Sequence, residues 1–301
     1  MTPLAAGASR RSATLAGIGL MLLGIFLFSC NDVLGKWMLS TYSVGQMLLI
    51  RSLAAMLLLL PFIWRERNSF AVAPRPGLQL LRVVLATLES VMFFWAVTYL
   101  PLADVVTFYL AGPIYVTALS ALFLGEHVGW RRWSAVLVGF LGVIICLRPS
   151  AATLTMPALI ALAGSIFFAL LMITTRTLRG TSDTVLITGI TSGALIFGLV
   201  TAPFAWVTPS PRDIALLALL GVVAQTAHVC VNRSLKLAPA SVVVPYQYTL
   251  IVWAVVLGYL VFGDVPEPLM LVGAGIIVGA GLFIFLREQA RGVASAPAEY
   301  P

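Results

Sequence analysis

Four ionisable side chains lie inside long apolar stretches of the sequence, where a charge is costly. They are Asp32, Lys36, Arg51 and Glu89. A charged group in the hydrocarbon core is stable only beside a partner or a water-filled cavity, so such residues mark binding sites or ion pathways. Two interpretations follow: a polar site with a proton relay, or an internal ion pair such as Arg51 with Glu89 or with Asp32. Lys36 lies near the end of its stretch, and its flexible side chain is expected to reach the membrane surface.

A second polar set follows helical spacing in the last third of the chain. Gln225, His228 and Asn232 fall on one helix face, together with Gly221. This seam is interpreted either as a hydrogen-bonding face for a substrate or as polar contacts between helices. No second ligand accompanies His228 at a suitable spacing, so we predict no metal site.

Three aromatic residues are candidates for binding a planar ligand: Trp95, Tyr109 and Tyr246. Most aromatic residues near the ends of apolar stretches form interfacial belts. Tyr109 and Tyr246 differ because they lie near Pro113 and Pro245, and prolines that interrupt membrane helices free backbone groups to face a cavity. We predict that the paired tyrosines form aromatic gates or stack on a ligand.

Composition identifies the class of protein. The 301 residues are 60% hydrophobic and 10% charged, with a mean hydropathy of +1.04. Globular domains carry roughly 25% charged residues, so we predict an all-α polytopic membrane protein in contact with the lipid bilayer. The net charge of +7 comes from scattered basic residues, which argues against a nucleic-acid partner. The three cysteines show no metal or disulfide spacing.

Ten apolar spans are long enough to approach the roughly 20 residues that cross a bilayer. Proline-rich and polar breaks separate them. The predicted spans are 14–38, 43–64, 78–99, 103–124, 131–148, 155–177, 184–206, 212–234, 240–262 and 267–286.

The basic residues predict the orientation of these spans. If the N-terminus is cytoplasmic, fourteen of the 18 Lys and Arg residues fall on the cytoplasmic side and only Lys36, Arg148 and Arg212 on the other, with Arg51 inside a span. The positive-inside rule therefore predicts that both termini are cytoplasmic.

An internal repeat indicates a duplication. Residues 102–109 and 239–246 resemble each other, and the pairs Gly125-Glu126 and Gly263-Asp264 follow them. Five spans in each copy would insert the second copy upside down, which predicts two inverted five-helix repeats. We place a cytoplasmic N-terminus at 1–13, the repeats at 14–150 and 151–287, and a cytoplasmic tail at 288–301.

Small residues in the last helix of each repeat predict close packing. Gly275 and Gly279 form a small-xxx-small motif, and Gly139 and Gly142 lie in the equivalent helix of the first repeat.

The turns Leu-Pro-Leu-Ala-Asp-Val-Val and Leu-Ala-Pro-Ala-Ser-Val-Val, with the Gly-Glu and Gly-Asp ends, resemble the EamA family of the drug/metabolite transporter superfamily. The resemblance covers residues 14–287 and implies ten helices, a central cavity and alternating access. The stretches 31–37 and 45–52 are similar to a proteobacterial subgroup with riboflavin transporters and relatives of S-adenosylmethionine carriers. The resemblance therefore implies a location in the bacterial inner membrane.

The leading hypothesis is a secondary carrier, monomeric or homodimeric, for a small organic metabolite, with riboflavin uptake as the best single candidate. In this hypothesis the charged residues supply charge or coupling, the seam residues hydrogen-bond, and the aromatic residues stack. The alternatives are an S-adenosylmethionine carrier and an exporter of amino acids or toxic metabolites. Enzyme motifs such as HExxH and GxSxG are absent, and polar residues are too few for a channel. We predict no catalytic residue and no cofactor.

Overall fold

The computed structural model describes residues 3–71, 75–112, 114–116, 119, 130–147, 155–178, 180–237 and 243–290. All regular secondary structure within these ranges is helical, as the apolar composition predicts. The helices are α1 Pro3–Met38, α2 Val44–Arg65, α3 Arg67–Ala71, α4 Pro76–Tyr99, α5 Leu102–Leu110, α6 Trp130–Leu147, α7 Met156–Thr177, α8 Asp183–Thr201, α9 Pro211–Leu237, α10 Thr249–Phe262 and α11 Pro268–Ala290, with 3-10 turns at Ala202–Ala205 and Val244–Tyr248.

Helix length follows the same order in the two predicted repeats. Six helices are long and apolar enough to cross a membrane, namely α1, α2, α4, α7, α8 and α9. Four shorter apolar helices, at 102–116, 133–146, 246–262 and 268–283, follow as a pair in each repeat. The chain therefore alternates three long helices with two short ones, twice.

Local capping explains where several helices begin and end. The hydroxyl oxygens of Ser43 and Ser182 cap α2 and α8, each accepting a backbone N–H at 3.2 Å. Gly263 ends α10 with a φ of 71°, a left-handed conformation that glycine adopts without a steric penalty. The glycine of the Gly-Asp pair is thus a helix terminator, and it orients Asp264.

Helices of the first predicted repeat pack mainly against helices of the second. The most extensive contacts are α1 with α9, α4 with α7, α2 with α8, and α6 with α11. Glycines permit close approach at equivalent points: a Cβ on Gly24 of α1 would meet Ala227 and Cys230 of α9, and one on Gly164 of α7 would meet Met92 of α4 and Tyr109. The core of the bundle is therefore built between the repeats.

Several predicted spans differ from the helices of the structure. The predicted start at residue 14 agrees with the apolar part of α1, Ala13–Met38, although the helix itself begins at Pro3. Helix α5 ends at Leu110, inside the predicted span 103–124, and α8 ends at Thr201, before the predicted end at 206. The predicted span 240–262 is interrupted, because Val244–Tyr248 form a 3-10 turn before α10. The segments 117–118 and 120–129 lie outside the described residues, as does Arg148. The full arrangement of ten crossings in two inverted repeats stays a prediction.

The predicted glycine packing motif is only half right. A Cβ on Gly275 or Gly279 would meet nothing within 4 Å, so these two glycines face open space rather than a neighbouring helix. The close contact between α6 and α11 lies instead at Gly142 and Gly273, where a Cβ on Gly142 would approach the Gly273 carbonyl oxygen at 3.0 Å. Close packing is correct for Gly139 and Gly142 of α6, whereas on α11 the sequence spacing selected the wrong face.

Candidate functional site

Three charged residues from different helices meet inside the bundle. Asp32 lies on α1, Arg51 on α2 and Glu89 on α4, and each lies within electrostatic range of the other two. All three lie deep among the helices, yet each side chain keeps part of its surface accessible. We refer to these three residues as the central charge cluster.

The members of the central charge cluster do not form an ion pair with one another. Among the residues that the structure describes, the only nitrogen–oxygen contact within 4.0 Å between opposite charges joins Lys36 to Asp264. The Arg51 guanidinium instead lies over the Phe94 ring, 5.2 Å from its centroid. Its Nη1 atom is buried without a hydrogen-bond partner in the described ranges. This geometry differs from the internal ion pair of Arg51 with Glu89 or Asp32, which the sequence left open as an alternative.

The two carboxylates receive only weak local hydrogen bonds. The Asn31 amide donates to Asp32 at 3.4 Å, and the Ser90 hydroxyl donates to Glu89 at 3.2 Å. Both donors are sequence neighbours of the acid that they contact. Each carboxylate thus retains capacity to accept further hydrogen bonds.

Helix α9 brings the amide and histidine seam towards the central charge cluster. A Cβ on Gly221 would collide with the Arg51 backbone carbonyl, so the absence of a side chain lets α9 rest directly on α2. One turn further along, the Gln225 Nε2 atom is buried and finds no acceptor among the described residues. The His228 ring contacts the edge of Phe28 of α1, with centroids 4.9 Å apart at 81°. Asn232 is half-buried, two turns beyond Gln225.

The two predicted tyrosines lie in aromatic or apolar surroundings next to this region. Tyr109 packs edge-on against Phe93 at 5.1 Å and lies 5.9 Å from Phe168, while its hydroxyl donates to the Glu89 backbone oxygen at 3.3 Å. Tyr246 packs against the cluster of Met21, Ile25 and Val243. Tyr109 is therefore hydrogen-bonded to the backbone of Glu89, one of the two acids of the central charge cluster.

Trp95 lies apart from the other candidates. Its ring contacts Tyr99, with centroids 4.7 Å apart, and Tyr99 is 61% exposed. The neighbouring Phe94 is the α4 aromatic that contacts Arg51. Nothing in the sequence marks Phe94, because its type is common in apolar helices and its role depends on the rotation of α4.

That Lys36 reaches the membrane surface stays a prediction, and the structure adds a partner that the sequence did not suggest. Its Nζ atom lies 2.7 Å from the Asp264 carboxylate, donates to the Leu100 carbonyl oxygen at 3.1 Å, and lies 4.7 Å from the Phe262 ring centroid. The ends of α1, α4 and α10 are thereby tied together. The Gly-Asp pair was recognised only as a repeat marker, so its partner was missed.

Arg82 is a second buried arginine that the sequence assigned simply to the cytoplasmic side. It is 8% exposed. Its Nε donates to the Thr175 hydroxyl of α7 at 2.8 Å, and its Nη1 donates to the Leu186 carbonyl oxygen of α8 at 2.9 Å. Two hydrogen bonds of Arg82 thus hold α4 against α7 and α8, in contrast to Arg51.

Further polar contacts join the two predicted repeats between the α1–α2 connection and the α8–α9 connection. Gln46 donates to the Val207 carbonyl oxygen at 2.6 Å and accepts from the Val207 N–H at 3.0 Å. The Tyr42 hydroxyl donates to Asp213 at 2.7 Å, and this carboxylate raises the pKa of the Tyr42 phenol. These contacts and the Lys36–Asp264 pair lie at one end of the bundle, which we call the Lys36 end.

A family model matches both predicted repeats. The EamA-like transporter family matches residues 15–148 and again residues 155–286. A solved structure with 17% sequence identity covers 92% of this chain and 98% of its own chain at a TM-score of 0.63, which supports the same fold.

Curated relatives are named as transporters. An S-adenosylmethionine uptake transporter of Rickettsia felis is 27% identical over 91% of this chain and 94% of its own length. A riboflavin transporter of Vibrio cholerae is 31% identical over 69% of this chain and 71% of its own. A pseudopaline exporter of Pseudomonas aeruginosa is 29% identical over 88% and 94%. These relatives and the apolar helices identify a multi-pass bacterial membrane protein that transports metabolites. Because the family model covers nearly all of the sequence, in two copies, the chain belongs to the EamA-like transporter family.

Proposed function

We propose that this transporter is a secondary carrier that moves a small organic metabolite by alternating access around the central charge cluster. The observation that carries the proposal is the state of Arg51: a guanidinium deep in the bundle that neither Asp32 nor Glu89 neutralises by direct contact. A buried donor without a partner is costly, by about 1–3 kcal/mol and more when charged. A buried arginine of this kind is expected where a bound ligand supplies the missing hydrogen-bond acceptor.

The position of the cluster supports alternating access. Asp32, Arg51 and Glu89 belong to the first repeat, and α9 of the second repeat, which carries Gln225 and His228, packs directly on the Arg51 backbone at Gly221. A site between two repeats is exposed to one side or the other when the repeats rock against each other. The inverted five-plus-five arrangement with both termini cytoplasmic is part of this proposal.

Two substrates are candidates, each with its own supporting observation. Uptake of riboflavin is favoured by the aromatic residues near the cluster, Tyr109, Phe93 and Phe168, which offer ring faces and edges to a planar heterocycle. Uptake of S-adenosylmethionine is favoured by relatives that carry this name and align along nearly the whole chain. Export is the competing direction, since a relative is named as an exporter.

Counterflow in liposomes tests the proposal. Purified protein is reconstituted into vesicles loaded with unlabelled riboflavin or S-adenosylmethionine, and entry of the labelled compound is followed. We expect saturable counterflow of one compound, and loss of that counterflow in Glu89→Gln and Arg51→Gln variants that reconstitute normally. Unchanged transport in both variants would refute the role of the central charge cluster. Chemical turnover of the labelled compound would instead identify an enzyme.

A further inference from the structure

The central charge cluster is unequal in sign. It contains two acids, Asp32 and Glu89, and one base, Arg51, and the described residues include no direct ion pair among them. A ligand that complements all three side chains carries one carboxylate and more than one cationic group. A neutral flavin has no charged group to offer to any of these three side chains.

The guanidinium has the geometry to receive the negative group. Arginine presents its N–H donors as a planar fork that matches a carboxylate, so two parallel hydrogen bonds form. The Phe94 ring lies against the Arg51 guanidinium, 5.2 Å from the ring centroid to Cζ, and limits its rotation. Nη1 is the atom that has no acceptor inside the described bundle. The Phe94 ring thus positions the Arg51 guanidinium, and its Nη1 donor is available to a ligand.

The Gln225 amide of α9 adds a second unsatisfied donor. Its Nε2 atom is buried with no acceptor within the described residues. The contact of Gly221 with the Arg51 backbone sets the height of α9 relative to α2, and Gln225 follows one turn later. Two buried donors, one on each repeat, therefore lie on the two helices that meet at Gly221.

The acids are placed to receive cationic groups. Asp32 accepts one bond at 3.4 Å and Glu89 one at 3.2 Å, both from neutral side chains. An ammonium or a sulfonium next to either carboxylate would replace a weak contact with an attraction between opposite charges. The two acids sit on different helices, so they can receive two different groups of one ligand.

We propose that the site takes an amino-acid derivative whose carboxylate binds Arg51 and Gln225 and whose cationic groups face Asp32 and Glu89. This inference rests on the proposed function, because it assigns the substrate class of the same site. It separates the two candidates by their chemistry: S-adenosylmethionine carries a carboxylate, an ammonium and a sulfonium, whereas riboflavin carries none of these.

The test uses a pair of ligands that differ only in the carboxylate. Binding of S-adenosylmethionine and of decarboxylated S-adenosylmethionine to the purified full-length protein is measured by titration calorimetry. We expect wild type to bind the carboxylated form about 10- to 100-fold more tightly, the range expected for charged hydrogen bonds. In Arg51→Gln this preference should disappear, and the decarboxylated form, which carries only positive charge, should bind at least as tightly as it binds to wild type because a nearby positive charge is removed.

A matched control uses the other buried arginine. Arg82→Gln removes bonds to Thr175 and Leu186, so its melting temperature should fall while the preference for the carboxylated ligand remains. If Arg51→Gln does not fold, Arg51→Lys serves in its place and should reduce the preference through loss of the second hydrogen bond.

The outcomes separate this inference from the proposed function. Equal binding of both ligands by wild type, equal weakening of both by Arg51→Gln, or no binding of either would each overturn the inference. Saturable riboflavin counterflow that survives Arg51→Gln would overturn it while leaving the carrier function intact. Failure of counterflow with every metabolite would contradict the carrier function itself.

Discussion

At the scale of single residues, the two acids of the central charge cluster should recognise the cationic groups of the ligand, whereas Gln225 should recognise its carboxylate. Asp32→Asn and Glu89→Gln remove negative charge, whereas Gln225→Leu removes a donor. We expect both acid variants to bind S-adenosylmethionine more weakly. The variant of the acid that faces the sulfonium should also lose the preference for S-adenosylmethionine over S-adenosylhomocysteine, which lacks the sulfonium charge. Gln225→Leu should keep that preference. Calorimetric titration of both ligands checks this, and full sulfonium selectivity in both acid variants would contradict it.

Tyr109 offers a second prediction at this scale. Its ring packs against Phe93 and Phe168, while its hydroxyl makes one long bond of 3.3 Å to the Glu89 backbone. Tyr109→Phe should cost less than about 1 kcal/mol of unfolding free energy, because a single neutral hydrogen bond contributes that much. Tyr109→Ala should cost about 3–5 kcal/mol through the cavity it leaves. Thermal unfolding in detergent compares the two, and equal losses would show that the hydroxyl matters more than the ring.

The contrast between Trp95 and Phe94 shows what residue type alone can predict. Both are aromatic and adjacent, yet only Phe94 contacts Arg51, and Trp95 pairs with Tyr99 near lipid. A helix has 3.6 residues per turn, so neighbours point about 100° apart. The sequence placed the charged residues correctly in apolar helices, because hydropathy is read along the chain and does not depend on the direction in which each side chain points. It could not predict which aromatic shares their face.

At the scale of helices, the contact between α2 and α9 depends on Gly221. A methyl group there would collide with the Arg51 carbonyl and lie 3.1 Å from the Ala55 nitrogen. Because backbone cannot yield as a side chain can, we expect Gly221→Ala to destabilise the protein by about 1–3 kcal/mol. Gly275→Ala, which meets nothing within 4 Å, is the matched control and should be neutral or slightly stabilising. Melting temperatures measure both, and equal values would contradict the packing argument.

The Lys36 end of the bundle should act as a gate. The Lys36–Asp264 pair joins α1 of one repeat to the residues after α10 of the other, so opening at this end requires the pair to break. Side-chain exposures of 15% and 26% make it a partly screened pair, worth about 1 kcal/mol or less. We therefore expect Asp264→Asn to change stability little while favouring the conformation open at this end.

Labelling of Cys30 measures that opening. Cys30 lies on α1 two positions before Asp32, and replacing Cys146 and Cys230 with serine leaves it as the only thiol. Asp264→Asn should accelerate its reaction with a water-soluble maleimide. The exchanged variant, Lys36→Asp with Asp264→Lys, restores the pair and should restore the slow reaction. Identical rates in all three proteins would exclude a gating role.

The helix elements were predicted better than their interruptions. Hydropathy predicts the six long helices because burial in lipid requires continuous apolar helix. It did not predict that the ninth span begins with a 3-10 turn at Val244–Tyr248, although the proline there suggested a break. The packing face of α11 was also missed, since a glycine motif gives spacing but not direction.

At the scale of the whole molecule, the repeats imply a topology that can be measured. Five predicted crossings in each repeat would put both termini on the same side, and the positive-inside rule predicts that this side is the cytoplasm. Fusions of alkaline phosphatase and of green fluorescent protein to residue 301 should give an inactive phosphatase and a fluorescent protein. Fusions after residue 150, at the end of the first repeat, should give the opposite pair of results. The same readout at both junctions would disprove an odd number of crossings in the second repeat.

The division of charge between the repeats has a consequence for how the chain is made. Asp32, Arg51 and Glu89 lie on α1, α2 and α4, whereas the helices that pack against these three, α7, α8 and α9, come later in the sequence. The charged residues are therefore inserted into the bilayer before the helices that pack against them have been synthesised. Until α9 emerges, Arg51 has only the two acids of its own repeat to offset its charge. In our proposal the two acids that face the cationic groups of the ligand would first offset the charge of this arginine while the chain is being synthesised.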